Sequence, residues 1–134
     1  MKADLHNHSY YSDGVLSPSE VIKLASQAEC DLFSLTDHDT TDGIAEAQLE
    51  ADKLNLNLVN GVEISALWRN MAIHILGLGI DINNDILQTG LEHNQKLRKE
   101  RAEKIALGLW RSGIKDALEK TQSFSKTDML TRTH

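Results

Sequence analysis

At 134 residues, with 40% hydrophobic and 25% charged side chains, the chain has the size and composition of one ordinary globular domain or part of a larger one. No run approaches 18 consecutive apolar residues, and Met1-Lys2-Ala3-Asp4 does not open a secretory leader, so neither a membrane span nor export is expected. The net charge of −6 is uneven, with 14 acidic and 4 basic side chains in residues 1–90 against 6 and 10 in residues 91–134; the acidic first part argues against broad coating of nucleic acid.

Cys30 is the sole cysteine, which excludes an internal disulfide and fits a reducing cytoplasm. The opening Lys2-Ala3-Asp4-Leu5 reads as a short strand leading into His6-Asn7-His8. Alternation along a strand puts His6 and His8 on the same side. Ser12-Asp13-Gly14 then reads as a turn that can bring the Asp13 carboxylate back toward the imidazoles. Imidazole with carboxylate suits zinc, manganese or iron.

Ser17-Pro18-Ser19-Glu20 is a helix start, with Ser17 as cap, Pro18 in the first turn and Glu20 closing a capping box. Val21, Ile22, Leu24, Ala25 and Ala28 supply the apolar face of this helix. Residues 31–36 read as a buried strand ending in Asp37-His38-Asp39. A second helix is expected from about Gly43 to Leu54, with Ile44, Ala47, Leu49 and Ala51 available for packing. Leu56 to Asn60 begins a third strand that ends in Gly61-Val62-Glu63-Ile64-Ser65, and residues 72–79 read as a further strand containing His74. Strands alternating with helices imply parallel strands joined by right-handed crossovers, in an open α/β sheet or an α/β barrel.

From about Asn83 the pattern becomes one long charged helix, Asn84 to Ser112, broken at Gly113. Leu87, Leu91, Ala102, Ile105 and Leu109 fall near one face, while Asn94, Arg98 and Arg101 interrupt that stripe with polar groups. Ser125-Lys126-Thr127-Asp128 could start another helix. The division expected is residues 1–82 as the first strands and helices of an α/β domain and 83–134 as a helical segment.

Each candidate has a plainer reading by itself. The first two histidines could be a surface pair, His38 part of a helix-capping loop, Glu63 an exposed strand-end carboxylate, and His74 a hydrogen-bonded core histidine. Functional groups in parallel α/β folds gather at the carboxyl ends of strands. Four histidines and two carboxylates near strand ends favour a multinuclear metal site.

Asp4-Leu5-His6-Asn7-His8-Ser9 with Ser12-Asp13-Gly14, then Thr36-Asp37-His38-Asp39-Thr40, Gly61-Val62-Glu63-Ile64-Ser65 and His74-Ile75-Leu76-Gly77 resemble, in order and spacing, the motifs of the PHP (polymerase and histidinol phosphatase) metal-dependent phosphoesterases. Asp81-Ile82-Asn83, the arginine-bearing helix and Thr131-Arg132-Thr133-His134 are most similar to the small bacterial nucleotide phosphatases and 5′-3′ exoribonucleases of that family.

The resemblance implies a distorted (β/α)7 barrel with a small helical insertion, of which this chain would be the N-terminal portion, and three divalent ions (manganese, zinc or iron). His6 and His8 would bind one ion, Glu63 would bridge it to a second held by His74, and Asp13 and His38 would hold the third. Asp37 or Asp39 would orient ligands, and Arg98 or Arg101 would hold a non-reacting phosphate. Arg132 and His134 match the family's Gly-Arg-Pro-His only in part, because Thr131 and Thr133 replace its Gly and Pro.

The reaction implied is hydrolysis of a terminal phosphate on a small nucleotide, such as a 3′,5′-nucleoside bisphosphate, or on short RNA, by metal-activated water. This chain alone is expected to be a weak catalyst, with no stable protein partner. A histidinol-phosphate-type phosphatase and a non-catalytic metal-binding module are the alternatives.

Overall fold

The computed structural model describes residues 1–131 and 133; Arg132 and His134 lie outside the described residues. In chain order the elements are β1 (Ala3–Asn7), α1 (Pro18–Gln27), β2 (Leu32–Leu35), α2 (Ile44–Leu54), β3 (Asn57–Trp68), β4 (Met71–Leu78), α3 (Asp85–Arg111) and α4 (Ala117–Gln122). The strands lie in sequence order in one sheet, curled into part of a barrel.

α1 begins as its sequence dictates. The Ser17 hydroxyl accepts from the Glu20 backbone at 3.2 Å and the Glu20 carboxylate accepts from the Ser17 backbone at 2.8 Å, satisfying donors that the first helical turn leaves open. The core is small. Ile22 and Ala25 from α1, Phe33 and Leu35 from β2, and Ala47, Ala51 and Leu56 from α2 and its exit pack together. Each large apolar side chain buried there contributes about 1.5–3 kcal/mol.

Two packing expectations fail at the helix edges. Leu24, Ala28 and Leu49 are exposed, whereas Glu50 is buried. The inward stripe of α2 passes through Glu50, whose carboxylate receives Lys53 at 2.8 Å and Lys23 at 3.7 Å.

β1, β2 and β3 are parallel neighbours, as α1 and α2 crossovers require. β4 departs from the parallel pattern: it pairs antiparallel with β3 from Gly61↔Leu78 to Trp68↔Met71. Only Arg69 and Asn70 separate the two strands, both at positive φ (47° and 64°), the turn geometry that matches strand twist in a two-residue hairpin. Hence β3 runs on to Trp68. Its first third, Asn57 to Asn60, pairs with β2 and the rest, Gly61 to Trp68, with β4, and Glu63 lies just past the changeover.

α3 meets this hairpin at Ser65, whose carbonyl accepts from Asn94 Nδ2 and whose hydroxyl accepts from Arg98 Nη2, both at 2.8 Å. Leu91 is buried and Leu87, Ala102 and Leu109 are partly buried, but Ile105 is half exposed and leaves the stripe. Residues 126–128 form bends, not the helix expected to start at Ser125. Ser125 Oγ reaches the carbonyl of Thr127 at 2.7 Å and accepts its N–H at 3.3 Å, a local closure that competes with helical hydrogen bonds. No described helix is long and apolar enough to cross a membrane.

Candidate metal centre

The centre is built around one carboxylate. Glu63 is almost fully buried; its Oε2 lies 2.8 Å from His6 Nε2, 3.1 Å from His8 Nε2 and 3.6 Å from His38 Nδ1, and its Oε1 lies 2.8 Å from His74 Nδ1. His6 and His8 come from the end of β1. Thr36 N donates to Asn7 O at 2.8 Å, continuing the β1–β2 ladder past the strands, and His38 follows directly. The ladder extends on the other side too: Glu63 N donates to Asp37 O at 3.1 Å and Asp39 N to Glu63 O at 2.9 Å, fixing His38 beside Glu63. His74 sits opposite Ser65 in the hairpin and reaches Glu63 on the same face, two residues along, as diagonal cross-strand neighbours do.

Gly61 permits this closeness. A Cβ there would meet Ser34 Oγ at 2.3 Å and Thr36 Cγ2 at 2.7 Å. Gly14 has the equivalent function in the first loop, where a Cβ would meet the His8 carbonyl oxygen at 2.4 Å. The loop thereby folds back, and Asp13 Oδ2 comes to 3.4 Å from His38 Nε2. The rings of His8 and His38 stack at 4.8 Å, and those of His38 and His74 meet edge-on at 4.7 Å.

Burial raises the pKa of Glu63, but the His6 hydrogen bond and the neighbouring imidazoles outweigh it and hold the carboxyl below its usual range. For Asp13, burial is likewise opposed by the Thr131 hydroxyl and by His38 and His8, with a net lowering. Burial pushes His38 down, against the pull of Glu63 and Asp13, so its neutral, metal-binding form is favoured.

Two groups of donor atoms, His6–His8–Glu63 and His38–Glu63–His74, each lie within 4.8 Å of one another. Asp13 joins the second through His38, outside either group. His38 Nδ1 and Asp13 Oδ1 are buried without a hydrogen-bond partner. An unmet buried polar atom costs about 1–3 kcal/mol, which a cation between these donors would relieve. Neutral imidazoles with ionised carboxylates are the donor set that zinc, manganese and iron favour, so the residues present fit divalent metal.

Around the centre, the Asp37 carboxylate accepts from Ser9 N at 2.8 Å, Ser9 Oγ at 2.6 Å and Ser12 Oγ at 2.6 Å. Asp39, with φ of 53°, turns away and ties down α3. It accepts from Ser65 N and Oγ, Asn94 Nδ2 and, at 2.6 Å, Arg98 Nε. Burial raises the Asp39 pKa, and these donors more than reverse it.

Arg98 is therefore buried in an ion pair, its Nη2 donating to Ser65 Oγ at 2.8 Å. Arg98 and Arg101 both line a cavity of about 520 Å³ that opens onto His38, His74 and Asp13, with Leu67, Ile73 and Leu97 as its apolar wall. Ser9, Ser12 and Ser65 carry much of this network and were missed in the sequence. The clustering of Ser9 and Ser12 between His8 and Asp13 was the available signal.

The PHP domain family matches residues 4–121. The chain is 41% identical over 133 residues to the 5′-3′ exoribonuclease Rnm of Escherichia coli (strain K12), covering 98% of this chain and 45% of that protein. It is 40% identical over 132 residues to a 3′,5′-nucleoside bisphosphate phosphatase of Chromobacterium violaceum, covering 98% and 46%. The solved structure of an amidohydrolase from Chromobacterium violaceum, with bound sulfate and no metal, superposes over 100% of this chain and 48% of its own with a TM-score of 0.94 at 39% identity. The chain thus spans about half the length of the relatives it matches. With its motifs, its sheet and its ring of histidines in agreement, the chain belongs to the PHP domain family.

Proposed function

We propose that this chain carries the metal-binding half of a phosphoesterase that removes terminal phosphates from small nucleotides, 3′,5′-nucleoside bisphosphates in particular, or from short RNA. The observation that carries this reading is the convergence of four imidazoles on the two oxygens of Glu63. The relatives named as an exoribonuclease and a bisphosphate phosphatase supply the substrate class. The Chromobacterium violaceum structure holds sulfate, a tetrahedral oxyanion like phosphate.

His6 and His8 would hold one cation with Glu63 Oε2, and His74 a second with Glu63 Oε1. Asp13 and His38 would hold a third. When bound, divalent cations act as Lewis acids toward a phosphoryl group and lower the pKa of water. Manganese, zinc and iron all suit these donors. Arg98 is committed to Asp39 and Ser65, so Arg101, which also lines the cavity, would hold a non-reacting phosphate, while Leu67, Ile73 and Leu97 would face the less polar part of the nucleotide. Asp37 and Asp39 orient the groups beside them and do not touch the substrate.

Under single-turnover conditions with manganese in excess, the chain should release phosphate slowly from a 3′,5′-nucleoside bisphosphate, and Glu63→Gln should not. Release from histidinol phosphate but from no nucleotide would overturn the substrate class. Failure to bind manganese or zinc in calorimetry would overturn the metal reading itself.

A further inference from the structure

Beside His8 lies a chain of short hydrogen bonds with a directional consequence. Ser12 Oγ is 2.6 Å from Asp37 Oδ1 and 3.2 Å from His8 Nδ1. Ser9 and Ser12 are fully buried and Asp37 nearly so, so no solvent competes for these bonds. A hydroxyl has one hydrogen to give, and a carboxylate can only accept. Three donors converge on Asp37, and the 2.6 Å contact from Ser12 is the length of a hydroxyl donating to a charged oxygen.

With its hydrogen spent on Asp37, Ser12 offers His8 only lone pairs. The hydrogen between them must then belong to His8 Nδ1. A neutral ring protonated at Nδ1 is bare at Nε2, and His8 Nε2 is the atom that faces Glu63 Oε2 at 3.1 Å. The opposite tautomer would aim a hydrogen from Nε2 at an oxygen that His6 Nε2 already meets at 2.8 Å.

We infer that Asp37 and Ser12 form a relay that fixes His8 as its Nδ1-protonated tautomer, presenting a bare Nε2 to the His6–His8–Glu63 group. Ser12 is a positioning residue: it acts through His8. A serine hydroxyl can point either way, so the direction of the relay comes from Asp37, which the Ser9 N–H and hydroxyl hold in place. The effect on cation affinity rests on the metal reading above; the tautomer does not.

The test uses the 15N-labelled chain, freed of metal by chelator and held at pH 8, where a free imidazole is neutral. Long-range proton–nitrogen spectra, with the ring assigned by loss of its signals in His8→Asn, should show His8 protonated at Nδ1 and bare at Nε2. A ring protonated at Nε2 and bare at Nδ1 would overturn the relay. Ser12→Ala should mix the two tautomers and raise the zinc dissociation constant about 10–100-fold, the usual loss when a ligand's outer partner is removed.

Ser12→Thr, which keeps the hydroxyl, should restore both signatures. Unchanged tautomer and unchanged affinity in a folded Ser12→Ala protein would refute the proposal. Should that variant not fold, the wild-type spectrum still decides it. An Nδ1-protonated His8 in a wild-type chain that binds no zinc would uphold the relay and defeat the metal reading, so the two failures are distinguishable.

Discussion

Glu63 gathers more of the centre than any neighbouring side chain, because both of its oxygens are committed to imidazoles. Replacing it with Gln removes the charge at nearly constant shape. Metal affinity should fall by more than the roughly 10–100-fold typical of an outer-partner loss, which titration calorimetry with zinc would read. Asp39 has a different task and a different signature. Its folded pKa lies below its ordinary value of 3.8, so the unfolded chain binds the proton more readily. Its contribution is complete above that value and is lost as pH falls through the lower folded one. Asp39→Asn should leave Arg98 buried without its counter-charge, costing about 3–5 kcal/mol, and should flatten the acid limb of urea stability below about pH 4. An acid limb as steep as that of the wild type would assign the effect to other carboxylates.

Among the elements, β3 is the one whose position decides whether the ligands meet. Gly61→Ala should push it from β2, because the added Cβ collides with Ser34 and Thr36. A loss of about 1–3 kcal/mol in urea unfolding is expected, with weaker zinc binding as Glu63 moves from His6. The capping box of α1 and the period of α2 were legible because they depend on neighbours in sequence. The β3–β4 hairpin was not: Trp68-Arg69-Asn70-Met71 contains no glycine, and the turn adopts positive φ without the residue that usually announces it. Leu49 misses its expected inward place, which Glu50 takes, because helix period fixes spacing but not which neighbouring stripe faces inward; the partner surface chooses. α4 has only six residues, too few for a periodic signal. The histidine and carboxylate motifs that converge on Glu63 were readable because each is local, whereas the tie between Asp39 and Arg98 joins residues 59 apart.

For the molecule as a whole, cation binding and folding should be linked, since the donors in contact with Glu63 lie on separate elements and converge only in the folded chain. At a metal concentration 100 times the dissociation constant, linkage gives about 2.7 kcal/mol, or roughly 5–10 °C in melting temperature for a chain of this size. Melts with zinc and with chelator should differ by that amount at neutral pH; superimposed curves would separate the donors from any binding role. β4 raises a second expectation. Among the described residues it forms a sheet edge, and Ile73, Ile75, Leu76 and Leu78 are exposed on a strand with no Lys, Glu, Asp or Pro. Such an edge invites pairing with another copy. Sedimentation velocity should show association rising with concentration, and Ile75→Lys should suppress it.

The split pairing of β3 gives the two halves of the centre different histories during folding. His74 meets Glu63 across 11 residues, whereas His6 must meet it across 57. The shorter loop closes at an entropic advantage of roughly 1.5 kcal/mol, and hairpins form in about 1–10 μs. The hairpin pair is thus the low-contact-order part of the centre and the natural nucleus, with β1 delivering its two histidines later. A cation present during refolding would meet a two-donor trap first and be enclosed by the rest of the chain afterwards.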